Sequence, residues 1–145
     1  MSMPRDFRVS ESKRKLLLEL VESEISPFWK GHVKGAAHQR NVILHAIALA
    51  FQKGVRKPFK NGKSIFQNVN WKEEEKHFLM SIAMVELGLE DSLFNPKEVY
   101  KMAEQYADTG ITIVYNMVFK EGHAEPIDTF ETAIAETLEK YKQSD

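Results

Sequence analysis

The chain has 145 residues, of which 43% are hydrophobic and 28% charged, with no cysteine and a net charge of −1. That length and balance fit one folded domain with a single sizeable core. They exclude disulfides, thiolate metal sites and cysteine nucleophiles, and the lack of cysteine fits a reducing cytosol.

The near-zero total hides an uneven map. Residues 1–24 carry five basic and five acidic side chains; residues 25–72 carry nine basic and no acidic ones; residues 73–145 carry six basic and sixteen acidic. A split of this kind either steers an anionic partner to one face or is neutralised within the fold or across a dimer.

Taken in chain order, residues 1–9 read as a lead-in without a signal-peptide pattern. Ser10 is a candidate N-cap, and apolar residues at 17, 18, 21 and 25 follow helical spacing, which predicts an amphipathic helix over 11–25. Ser26-Pro27 interrupts it and starts a kink or a short helix carrying Phe28, Trp29 and Val33.

The most apolar stretch follows. Nine of the eleven residues in 41–51 (NVILHAIALAF) are apolar, and none is charged. It is too short to span a bilayer, which takes about 20 apolar residues. A helix apolar on nearly every side must be covered on every side. We therefore expect a central helix from about 36 to 53, closed by Gly54 as its C-cap, with His45 sealed in its middle.

Residues 54–70 break the helical pattern with Gly54, Pro58 and Asn61-Gly62, and form one long basic loop. Within it, 55–59 and 63–66 are either two short strands or ordered loop. Asn70 with Glu73 reads as a capping box, opening a second apolar helix over 71–87 that should pack on the first. Asn95-Pro96 with Glu98 starts the next helix. Ile111-Thr-Ile-Val114 competes as a strand, but a continuous helix of about 25 residues is preferred, because Gly110 then serves as a close-packing point. Residues 121–126 form a turn, 126–142 a last amphipathic helix, and 143–145 a tail. The fold class is all-α: five to six helices in one domain spanning 1–145, stacked orthogonally in a globin-like manner rather than as an up-down bundle.

Catalytic motifs are missing from the sequence: it has no nucleophile elbow, no zincin motif and no phosphate loop, and residues 25–72 offer no carboxylate base. The expectation is a non-enzymatic binding domain. Glu74-x-x-His77 matches half of a di-iron motif, and no second half exists, so no metal is expected; a metalloprotein built on Glu74 and His77 stands as a third reading. His45 would give an apolar pocket one neutral polar point. Arg40, between His38 and His45 at the entry to the apolar helix, is the candidate to fork a carboxylate. With His77, these three form the candidate headgroup or anion site. Leu44, Ile47, Phe51, Phe78, Ile82 and Met117 are the candidate apolar lining. Lys53, Arg56, Lys57, Lys60 and Lys63 around Phe59 and Phe66 provide the alternative: a nucleic-acid or phage-type interaction surface, disfavoured by a pI near 6.5.

An opening helix ending near Phe28-Trp29-Lys30, an apolar helix, a long irregular loop, a second apolar helix and three further helical stretches from Asn95-Pro96 together resemble a globin-type arrangement. More narrowly, the chain is similar to the haem-less globin sensor domains of Bacillus. These stand at the front of stressosome proteins and sporulation sensor kinases, and also occur as small free-standing inhibitors of sporulation. The resemblance covers the whole chain. His77 falls where a globin has its distal histidine, but residues 78–122 hold no histidine to serve as the proximal ligand, so haem is not expected. The resemblance implies a cavity for a fatty acid, an accompanying small anion, and signalling by homodimerisation or by competition with a sensor kinase, in the cytoplasm.

Overall fold

A computed structural model describes residues 6–23, 26, 36–60, 62–66, 71–87 and 96–120. The Ser26-Pro27 break, Phe28 and Trp29, the Asn70 and Asn95 caps, the turn at 121–126 and the helix expected over 126–142 lie outside the described residues. Within them the protein is mostly helical, with a small two-stranded sheet. In order, the elements are β1 (Phe7–Val9), α1 (Glu11–Glu22), α2 (Ala36–Lys53), β2 (Lys63–Phe66), α3 (Glu73–Leu87) and α4 (Pro96–Phe119).

α2 is the hub. Between Val42 and Phe51 every side chain is buried except Leu44, which is half-buried. Among the described residues its cover comes mainly from α4, and α1 and β2 add to it. The helix stops where the sequence predicts: Gly54 takes φ +68°, the Gly54 N–H bonds to the Phe51 carbonyl, and the Val55 N–H reaches back to Ala50. That bond pair satisfies two terminal carbonyls, and the left-handed residue suits glycine.

Gly110 determines how α2 and α4 meet. A Cβ built there would overlap the carbonyl carbon and oxygen of Ala46 and stand 2.8 Å from its Cα. Ala103 and Ala107 precede it on the same helical face and are also buried. The small residues let the two backbones touch, so 96–119 runs as one helix and the β-branched 111–114 segment is no strand. The same closeness corrects a second expectation. The helix that packs on α2 is α4, whereas α3 packs chiefly on α4 as well.

Residues 7–9, read from the sequence as part of a lead-in, are ordered into the sheet. Phe7, Arg8 and Val9 form β1, alternating buried, exposed, buried, and pair antiparallel with β2. Residues 63–66 are thus a strand, but its partner is β1 and not 55–59. α4 secures β1 from the other side: the Arg8 N–H donates to Glu104 Oε2 at 2.6 Å and the Ser10 N–H to Asp108 Oδ1 at 2.6 Å. Further along, Lys13 Nζ donates to the Thr112 hydroxyl and Tyr115 donates to Glu19 Oε2. Glu104, Asp108 and Thr112 are spaced four apart, so one stripe of α4 serves the whole segment. Ser10 does occupy the cap position of α1, but its side chain makes no capping bond. Phe7 packs edge-on against Trp71 and Tyr100, with ring centroids 5.8 and 5.2 Å away, and the Trp71 indole N–H donates to the Tyr100 hydroxyl.

Candidate functional site

The expected headgroup residues stand in different settings. His45 lies in α2 at 6% exposure, and burial holds its pKa down at about 3, against the upward pull of a hydrogen bond to the Asn41 backbone. The imidazole is therefore neutral at physiological pH, as expected for an apolar helix interior. His77 stands on the outer face of α3: its side chain is 73% exposed, 4.0 Å from Glu73. Its helical position places it on the solvent side, one residue before the buried Phe78. His38 belongs to α2, but its side chain lies outside the described residues.

Arg40 is where a carboxylate is held, and the carboxylate is the protein's own. Arg40 Nε lies 3.2 Å from Glu75 Oε2, with the two side chains 18% and 15% exposed. The other oxygen of Glu75 accepts the Lys72 backbone N–H at 2.8 Å. Glu75 thus caps the start of α3 and neutralises Arg40 at once. The capping frame is Lys72 with Glu75, two residues later than the Asn70 and Glu73 expected from sequence. A run of three glutamates offers several frames, and the arginine selects this one.

The apolar lining residues are all in one core. Ile47, Phe51, Phe78, Ile82 and Met117 are buried in it, and Leu44 packs half-buried against it. Met80 and Met84 on α3 are half-buried and supply soft, adjustable surface.

A second polar group closes the far end of α2. Arg56 lies 3.4 Å from Glu86 and stacks over the Tyr106 ring, 5.5 Å from its centroid. Tyr106 donates to Glu86 Oε1 at 2.7 Å and packs edge-on against Phe51. Burial first, and then the bond to Glu86 and its charge, raise the Tyr106 pKa above its ordinary value. The Lys57 N–H reaches the Thr109 hydroxyl, and Phe59 is half-buried beside Gly62 and the stem of Arg8. The loop is thus laid against the body of the protein, and Phe59 is no open stacking platform. The Phe66 side chain lies outside the described residues.

Two buried or half-buried carboxylates on α4 escaped the sequence reading. Glu104 is raised to about 7, chiefly by burial, although the Arg8 N–H and the Arg8 charge oppose the rise. Asp108 is 7% exposed. Their four-residue spacing on the inward side of an amphipathic helix was the available signal. Among the described residues no three histidines or carboxylates converge as a metal site, and no helix is long and apolar enough to cross a membrane. Compared with known proteins, the chain matches no family model, no curated protein and no solved structure.

Proposed function

We propose that the protein is a non-enzymatic sensor domain that binds a fatty acid or a similar anionic amphiphile and passes the signal to a protein partner. The observation that carries this reading is the Arg40–Glu75 pair. An arginine in the acid-free part of the chain, at the entry to its most apolar helix, already holds a carboxylate in a half-buried setting. A ligand carboxylate would take the place of Glu75, and its tail would enter the core beside Leu44, Ile47, Phe51, Phe78, Ile82 and Met117. The soft edge at Met80 and Met84 would yield to it. His45, neutral and buried, supplies the one polar point along the way. The globin-like stack, dimerisation and a sensor-kinase partner belong to this same reading.

Native mass spectrometry of the purified protein, followed by lipid extraction, tests it. A retained C12–C18 fatty acid supports it. A ligand-free protein whose Tm does not move with added laurate or palmitate rejects it.

The internal competition makes a sharper expectation. Glu75→Gln keeps an oxygen for the Lys72 N–H and removes the charge from Arg40. It should tighten fatty-acid binding about tenfold, since a charge-assisted hydrogen bond contributes about 1.5–3 kcal/mol. Arg40→Gln should weaken binding by a similar factor. Calorimetric titration of both variants with laurate reads the difference, and equal affinities would remove Arg40 from the site.

A further inference from the structure

We infer that the 53–63 segment, with the adjoining end of α3, is a docking face for an anionic lipid surface. This inference is independent of the Arg40 site. It begins from how the cations of the acid-free stretch are used. Arg40 and Arg56 are both taken by glutamates of α3. Lys53, Lys57, Lys60 and Lys63 are exposed, and among the described residues none of them makes an ion pair. The forks are spent inside the protein, and the point charges face water. An arginine fork suits a fixed carboxylate or phosphate, whereas separate ammonium groups suit a fluid array of headgroups.

The segment is also held in place. Gly54 turns the chain out of α2, Arg56 is drawn in to Glu86 and Tyr106, the Lys57 N–H is bonded to Thr109, and Lys63 opposes Val9 in the sheet. Lys57 and Lys63 are therefore presented from backbone tied to the body of the protein.

Exposed apolar side chains accompany them. Among the described residues the two large apolar side chains most open to water are Val55, at 38%, and Val85, at 40%. Val55 directly precedes Arg56 and Val85 directly precedes Glu86, the two members of one ion pair. Lysines beside exposed aliphatic side chains match an anionic interface, where the charges meet headgroups and the valines meet the acyl boundary. A nucleic-acid strand fits less well: valine has no face on which a base stacks, and the Phe59 ring is half-buried beside Gly62 and Arg8.

The test is co-sedimentation of the full chain with vesicles of phosphatidylcholine alone or with 30 mol% phosphatidylglycerol. Binding should appear only with the anionic vesicles and vanish in 0.5 M salt. Each Lys→Ala change at 57, 60 or 63 should weaken it about fivefold. The triple variant K57E/K60E/K63E should abolish it with unchanged circular dichroism, and Val55→Ser should weaken it with charge unaltered. The proposal is overturned by no binding at low salt, by binding that survives the triple change, or by indifference to Val55→Ser. Equally tight, lysine-dependent binding of a single-stranded oligonucleotide would overturn it too, by giving the face to nucleic acid.

Discussion

Gly110→Ala lowers the unfolding free energy by about 3 kcal/mol or more, the upper end of what overpacking costs in a close-packed core. In an exposed helix interior the same change would raise stability by about 1 kcal/mol, because alanine is the better helix former. The sign reverses here because the new methyl group meets backbone. It would overlap the Ala46 carbonyl, which cannot rotate aside as a side chain does. The α2–α4 contact would have to open along its length, and the buried Ile43, Ile47, Ile111 and Val114 would lose part of their packing. Urea denaturation measures the loss. A companion variant separates the causes: Ala46→Gly removes a side chain but leaves the obstructing carbonyl, so it should not rescue Gly110→Ala. A Gly110→Ala protein as stable as the wild type would show that the two backbones do not touch.

His45→Leu should remove an acid sensitivity and expose an opposite one. The His45 pKa in the folded protein, about 3, lies below the ordinary 6.5, so the unfolded chain binds more protons between those values. Its contribution to stability is complete above pH 6.5 and is lost as pH falls towards 3. By pH 5 the loss amounts to about 2 kcal/mol at 1.36 kcal/mol per pH unit. Glu104 works the other way. Its folded pKa of about 7 lies above the ordinary 4.5, so its contribution is complete below pH 4.5 and is lost as pH rises through 7. In the wild type the two slopes oppose each other between pH 4.5 and 6.5. With leucine at 45, stability should climb as pH falls from 7.5 to 5, and adding Glu104→Gln should flatten the profile. Guanidinium denaturation at pH 7.5, 6 and 5 reads all three proteins. A His45→Leu variant whose stability does not climb between pH 7.5 and 5 would place the titrating groups elsewhere.

Single residues with one physical meaning were the legible part of the sequence. The apolar run placed α2, Gly54 marked its end, and Gly110 marked both a continuous α4 and a close approach. Pairings were less legible. Two apolar helices look alike in one dimension, so nothing in residues 71–87 said that α4 would take the place on α2. Charge counting showed that the middle third needed acids, but not that Glu75 and Glu86 would each take one arginine. β1 was missed because three residues carry too little alternation to announce a strand, and its partner lies beyond α2. Of the candidate site, Arg40 holds a carboxylate of the protein's own, Glu75, an occupant the sequence did not foretell. His77 stands on the exposed side of α3, and a helix-number analogy carries no information about which face looks inward.

The stripe on α4 that receives the N-terminal segment has a consequence for how the chain reaches its fold. Arg8, Ser10 and Lys13 bond to residues 96, 98 and 99 positions later. On a growing chain, β1 can meet β2 and α1 can meet α2 before α4 exists, and the bonds to α4 are among the most distant in the sequence. Such contacts are slow to form, since a long loop must close before they give any return. Until α4 is made, α2 remains the most apolar segment in the molecule, with its main cover missing. The main cover of α2 is thus encoded after residue 95, and its apolar face waits for that part of the chain.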